Sequence, residues 1–519
     1  MRKFIVMSIA AAVVTVNVNA DNLDNIPLAK TYPVDSEVKT VKNTVKKSTV
    51  KKDAVKTKTT KASSNTDLAA ELKKLQKDLK KAQKKIKKLD KKLNVVKAHD
   101  AFDNIKFSVD FRNAVDNINY TYNKYSFKGK DWSGTEASND ALLTSRLYLN
   151  MKSKPTDKLT FYGQMAMYST WGGSDLSHDA TLKDWSESSK PTDTIFRVRQ
   201  AYFVWADTFG EDGLPYNFSV GRRQSTDGFL ANFRENYTDS GSPIAHITNM
   251  EVNGIMFKLD TDRYLSGSFI KFVYGRAHTG GIETLNDLVG YKPYAQEEGD
   301  INENVDFFVV LGNLYDDGQY RVMFENATIL NTKGARAGIP IAAPLPDGGK
   351  NKSLDAGTAN LSALALQVSG IGNEINDFLD DTTAFLSLGM TNYDPNEGHQ
   401  LLGSTDSETG YSYWLGVVVP DMITEEGKFG FEFNHGSKYW TPITWAEDTV
   451  IGSKVAVRGD AYEAYWNFNL FGSKNLSSQI RYTHLQHDYT PSIRCAGWVK
   501  PVAVDIEADD LRFFIRYTY

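Results

Sequence analysis

From Ile105 onward the chain alternates apolar and polar residues one by one. In Ile105-Lys106-Phe107-Ser108-Val109-Asp110-Phe111-Arg112 every second side chain is apolar. The last strand repeats the pattern: Leu511, Phe513, Ile515, Tyr517 and Tyr519 share one face, and Arg512, Phe514, Arg516 and Thr518 the other. A period of two places one face on an apolar medium and the other on water. Fourteen further segments of this kind lie between, near 142–152, 159–169, 195–205, 217–223, 251–260, 266–275, 304–314, 320–329, 361–369, 379–392, 410–419, 428–435, 460–470 and 476–486. Long and short connections alternate between them, and the short ones carry turn chemistry, as in Lys154-Pro155-Thr156-Asp157-Lys158, Asp316-Asp317-Gly318 and Gly472-Ser473-Lys474-Asn475. The pattern predicts an all-β transmembrane barrel over residues 100–519, antiparallel and up-and-down, of about 16 strands. An even strand count returns both ends of the barrel to the rim that carries the short turns. A soluble sandwich or propeller fits less well, because the apolar faces are rich in aromatics (Phe429, Phe431, Phe433; Tyr462, Trp466, Phe468) and the opposite faces read as polar.

Upstream the period changes. Leu68, Leu72, Leu75, Leu79, Ala82, Ile86, Leu89, Leu93 and Val96 follow a 4,3 spacing, the seam of a coiled coil. The spacing predicts a short α-helical coiled coil over 67–99 with Leu72, Leu75, Leu79, Ala82, Ile86, Leu89 and Leu93 in its core, a rod of roughly 45 Å. Its outer surface is almost all Lys, so either salt or an anionic partner must screen it, and a single helix lying on the barrel mouth is the other arrangement. Residues 21–66 are Lys-rich, with Thr and Val prominent in 35–66, and nothing there could bury a core; they read as a disordered linker. Residues 1–20 combine Arg2 and Lys3, an apolar run of about 13 residues from Phe4, and Val18-Asn19-Ala20. That is a cleavable export signal, the run being short of the roughly 20 residues a spanning helix needs.

Charge sharpens this division. The chain has 60 Lys+Arg, 64 Asp+Glu and a net charge of −4, yet residues 21–99 carry +13 and residues 100–519 carry −19. The basic arm therefore has anionic peptidoglycan as a candidate partner, and the acidic excess on outer loops can bridge through divalent cations to lipopolysaccharide. One cysteine, Cys495, excludes a disulfide framework and a Cys-based zinc site.

Several stretches resemble a family of uncharacterised porin-like bacterial outer-membrane barrels with an N-terminal periplasmic coiled coil, a domain of unknown function. They are Asn104-Ile105-Lys106-Phe107-Ser108-Val109-Asp110-Phe111-Arg112, Arg197-Val198-Arg199-Gln200-Ala201-Tyr202, Gly221-Arg222-Arg223, Asp227-Gly228-Phe229-Leu230-Ala231-Asn232 and Gly430-Phe431-Glu432-Phe433-Asn434-His435-Gly436-Ser437. The terminal strand ending in Tyr517 and Tyr519 is similar to the assembly signal of bacterial outer-membrane proteins. The resemblance implies an outer-membrane channel, with the arm in the periplasm, and no particular substrate.

Turning the polar faces inward places Arg112, Arg146, Arg197, Arg199, Arg223, Arg481, Arg512 and Arg516 in the lumen, with Asp110, Glu325, Glu432 and Glu463 as the acidic lining. The third long connection, 224–250, is the expected constriction loop by analogy with general porins, and it carries Asp227, Glu235 and Asp239. Two roles are open to the arginines. They form a ladder that selects anions, or they pair with loop acids and brace the loop. His484-Leu485-Gln486-His487 is no metal pair, because residues three apart on a strand face opposite ways. No spacing marks a catalytic set, a metal site or a cofactor loop, and no nucleic-acid partner is expected. The sequence thus points to a non-enzymatic porin passing small hydrophilic solutes or ions, expected to be a homotrimer. A structural tether to the cell wall and a substrate-specific channel with a narrowed lumen are the alternatives.

Overall fold

The computed structural model describes residues 73–74, 77–89, 91–92, 105–127, 129–171, 196–210, 213–278, 304–339, 355–372, 375–424, 426–444, 449–492 and 500–519. The expected signal segment, the Lys-rich linker, Leu72, Leu75, Leu93 and Cys495 lie outside them.

The described residues between 73 and 92 are helical. Leu79, Ile86 and Leu89 are 61, 56 and 61% exposed there. No described helix is long and apolar enough to cross a membrane.

Sixteen strands form the barrel: β1 (Lys106–Lys124), β2 (Thr135–Ser153), β3 (Leu159–Thr170), β4 (Arg197–Thr208), β5 (Pro215–Ser225), β6 (Thr248–Asp260), β7 (Phe269–His278), β8 (Val305–Asp316), β9 (Tyr320–Leu330), β10 (Gly357–Ser369), β11 (Thr383–Pro395), β12 (Glu408–Pro420), β13 (Lys428–Gly436), β14 (Gly459–Asn469), β15 (Leu476–Tyr489) and β16 (Ala503–Thr518). Each pairs antiparallel with the next, and β16 pairs with β1, so the sheet closes. The closing register sets Arg112 against Arg516 and Phe111 against Tyr517. The chain end is tied in as well, because Val109 and Tyr519 exchange backbone hydrogen bonds of 2.8 and 2.9 Å. Closure removes the free edges that an open sheet would present.

Exposure follows the alternation. Leu386, Leu388 and Met390 on β11 and Tyr411, Tyr413 and Leu415 on β12 are exposed outward, while Ser387, Thr391, Ser412 and Trp414 between them are buried inward. An outward band of large apolar side chains around a closed, hydrogen-bonded wall is the form a strand protein takes in lipid.

Two features depart from the sequence reading. First, the connection expected over 114–141 is largely strand. β1 runs to Lys124 because it has a backbone partner on each side, β16 and β2. Its outward residues there are Asn117, Asn119 and Thr121, so the apolar signal fades while the pairing continues. Second, the inward faces of β8–β12 carry many large apolar residues among their polar ones. Phe307, Val309, Leu311, Met323, Ala327, Ile329, Leu361, Phe385 and Trp414 are buried against Phe229, Leu230, Ile244 and Ile247 of one loop and Trp440, Ile443 and Val455 of another. Two connections, 226–247 and the described residues 437–444 and 449–458, fold into the barrel and give that half of the lumen an apolar core. Each large side chain so buried contributes roughly 1.5–3 kcal/mol.

Candidate pore and its constriction

The 226–247 loop leaves β5, crosses the lumen and returns to β6. Its base is closed on itself: Phe229 N donates to Pro243 O at 2.7 Å and Gly241 N to Asp227 O at 2.8 Å. A Cβ at Gly228 would lie 2.3 Å from Pro243 O, so only glycine lets the two limbs approach this closely. Asp227, Leu230 and Asn236 hold left-handed φ values of 51°, 81° and 55°. Three non-glycine residues in that region mark a backbone held in place by its surroundings. One helical turn, α1 (Ala231–Arg234), lies between the limbs.

The wall supplies those surroundings. Asn467 on β14 and Gln479 on β15 donate to the backbone carbonyls of Phe233 (3.2 Å) and Arg234 (2.6 Å) respectively. Phe233 stacks on Phe385 with ring centroids 5.6 Å apart. On β9, Glu325 accepts from Ile244 N at 2.5 Å and from Thr248 Oγ1 at 2.6 Å. His246 is fully buried, bonded to Ser387 Oγ (2.9 Å) and Ser412 Oγ (2.8 Å), with the Trp414 and Trp440 rings beside it. Burial pushes its imidazole down to about 3, so the ring is neutral near pH 7.

The second inward loop is anchored by charge. Lys454 pairs with Glu432 at 2.5 Å and with Glu463, and Trp414 Nε1 donates to Glu432 at 2.9 Å. Arg458 donates to Trp440 O and Thr441 Oγ1. The two loops also meet each other, Ile443 N donating to Ile247 O at 2.9 Å, and Ile443 and Thr444 pair in parallel with Thr248 and Asn249 at the start of β6.

The arginines singled out in the sequence divide as follows. Arg516 grips Asp110 at two points (2.9 and 2.5 Å) and donates to Glu235 O and Tyr237 Oη of the loop. Arg146 reaches the same Asp110 at 3.3 Å. Arg199 sits in a β-bulge, where Gln200 and Val198 pair with successive residues of β3, and the bulge aims it inward. There it donates to Glu251 (2.5 Å), Gln164 (3.1 Å) and Thr226 (3.1 Å). Arg512 pairs with Asp116, and Arg481 lies 3.8 Å from Glu463. Arg112 is buried near the Phe514 ring, and Arg223 bonds Ser219 at 2.7 Å. Arg197 is exposed at the start of β4. Of the acids, Glu325, Glu432 and Glu463 are spent on the two loops, and Asp110 and Asp116 on wall arginines. Asp116, Glu251, Arg234 and Lys454 belong to this set and escaped the sequence reading. Asp116 continues the inward parity of Asp110 and Arg112 and was legible once β1 is carried past residue 113. Lys454 and Arg234 are loop residues, and no periodicity marks them.

A cavity of about 490 Å3 lies on the β1–β5 side of the loop. Asp110, Arg199 and Arg516 of the wall and Asp227 and Asp239 of the loop line it, with Tyr148, Tyr237 and Gln164, and with Asn475 and Tyr519 at the short-turn rim. Burial, then the nearby Glu235 carboxylate, raise Asp227 above the usual carboxylate range, against the pull of Arg199. Burial pushes the Tyr237 hydroxyl up to about 12, so it remains a donor. The space thus presents charges of both signs. Among the described residues no group of His, Cys, Asp and Glu is placed to hold a metal ion. His484 bonds Asp509 while His487 is buried inward, on opposite faces of β15.

A family model described as a protein of unknown function (DUF3373) matches residues 136–514. No curated protein matches the chain. Among solved structures it is similar to OprB of Pseudomonas putida (12% identity, TM-score 0.42, covering 81% of this chain and 96% of that one). It is also similar to an anion-selective porin from Comamonas acidovorans (12%, 0.42, 80% and 100%) and to the outer-membrane channel DcaP of Acinetobacter baumannii (11%, 0.38, 80% and 97%).

Proposed function

The chain belongs to the DUF3373 family of proteins of unknown function, and from that premise we propose that it is a channel-forming barrel of the bacterial outer membrane. In this reading it passes small hydrophilic solutes or ions and performs no catalysis. The observation that carries it is a closed sixteen-strand wall with an apolar outer face, holding a charged, water-accessible cavity beside an inward loop. A sixteen-strand barrel is wide enough for an aqueous path.

The passage is the narrowed kind, because two inward loops fill the β8–β12 side and a polar cavity lies beside them. Within that cavity the wall arginines first brace the loop, and Arg199 and Arg516 together with Asp227 and Asp239 then orient dipolar solutes. With both signs present, the ion preference is weak rather than strongly anionic.

The Lys-rich arm extends into the periplasm, contacts peptidoglycan, and joins three copies through its coiled coil. The exposure of Leu79, Ile86 and Leu89 supports that assembly. Acidic outer loops contact lipopolysaccharide through divalent cations, and Tyr517 and Tyr519 serve barrel assembly.

Single-channel recording of the refolded protein in a planar bilayer tests the reading. Small, stable steps are expected, with a reversal potential near zero in a KCl gradient. A correctly folded barrel that gives no steps would remove the channel and leave the tether.

A further inference from the structure

The inner wall carries a second group of cations, of which the sequence reading named only Arg223. Arg223 (β5), Lys258 (β6), Lys271 (β7) and Arg321 (β9) face the lumen behind the returning limb of the 226–247 loop. Lys258 and Lys271 are direct register partners on neighbouring strands, and both ammonium groups lie over the Phe269 ring, at 4.4 and 5.0 Å. Arg223 bends back along its strand to Ser219. The returning limb of the loop, residues 239–242, separates this group from the cavity residue by residue. Asp239 and Gly241 line the cavity, whereas Ser240 accepts from Arg321 at 3.1 Å and Ser242 accepts from Lys271.

The charges do not balance. Asp260 lies 3.6 Å from Lys258, and Asp316 lies 3.4 Å from Arg321. Among the described residues no acid pairs with Lys271 or Arg223. Two like charges directly opposite on neighbouring strands destabilise a sheet. Holding a serine hydroxyl does not require them, since a neutral donor does that equally well. The surplus charge is explained if an anion is bound there.

We propose that Arg223, Lys258 and Lys271, with the hydroxyls of Ser219 and Ser242, form a binding site for a small oxyanion: a phosphate or carboxylate group, free or carried on a solute. The inference deepens the channel reading by naming a solute class, but the binding stands apart from conduction.

It is tested at equilibrium by titrating inorganic phosphate into the full chain, refolded in detergent micelles, at constant ionic strength set by KCl. Saturable binding is expected, weakened about tenfold or more in Lys258→Met/Lys271→Met, since each charge-assisted hydrogen bond lost is worth roughly 1.5–3 kcal/mol. Lys474→Met, at an exposed turn, leaves it unchanged. Acetate competing with phosphate extends the site to carboxylates, and acetate failing to compete restricts it to phosphate. Absence of saturable phosphate binding to a folded barrel, or equal binding by the double variant, overturns the site. Should that variant not fold, Arg223→Gln decides in the same way. A barrel that binds phosphate yet gives no current would remove the channel and keep the site.

Discussion

Arg516 on the last strand and Asp110 on the first are joined at two points, 2.9 and 2.5 Å, across the line where the barrel closes. The same guanidinium donates to Glu235 O and Tyr237 Oη of the inward loop. One buried side chain therefore links barrel closure to loop placement.

Breaking this pair from one side leaves a charge buried without its counter-ion. Asp110→Asn is expected to cost about 3–5 kcal/mol of unfolding free energy, because Arg516 and Arg146 both lose their carboxylate. Asp110→Asn/Arg516→Gln is expected to cost less than the sum of the single variants. Denaturant unfolding in micelles gives the coupling, and strictly additive values would contradict the shared role.

Glu325 is the latch of the loop. Glu325→Ala leaves Ile244 N and Thr248 Oγ1 without their acceptor, a loss of roughly 1–3 kcal/mol for each buried donor left unsatisfied. The loop should become sensitive to protease, and the conductance step should grow. Unchanged proteolysis would show that the apolar contacts alone hold the loop.

His246 gives the loop packing a pH dependence whose sign follows from its environment. Its folded pKa, about 3, lies below the ordinary value of 6.5. The neutral ring therefore stabilises the fold above pH 6.5, and that contribution is lost as the pH falls toward 3. Unfolding free energy measured between pH 7 and pH 4 should fall more steeply for the wild type than for His246→Gln.

Asp227 and Asp239 bring the loop's negative charge to the cavity. Asp227→Asn/Asp239→Asn should move the reversal potential in a KCl gradient toward chloride while leaving the barrel folded. Asp227, raised by burial and by Glu235, is expected to contribute less of that shift at low pH than at pH 8, because it takes up its proton at a higher pH than an ordinary carboxylate. A potential that does not move would place the ion path elsewhere.

The period-two alternation was enough to place all sixteen strands, because each wall residue must choose between lipid and lumen and that choice repeats at every second position. Parity also put Arg112, Arg146, Arg481, Arg512 and Arg516 on the inner face, where they are buried, while Arg197, read the same way, is exposed. The same alternation left the lumen side of β8–β12 unread: Phe307, Leu361 and Trp414 face inward as apolar residues only because Phe229, Ile244 and Trp440 arrive from distant loops to cover them. The partners of the charges were unread for the same reason. Arg516 meets Asp110 only when β16 closes on β1, and Lys454 meets Glu432 and Glu463 only when its loop folds in. Periodicity reports which medium a side chain faces. Which residue it meets there is set by barrel closure and by loops whose course is held through long-range contacts, and that only the tertiary structure decided.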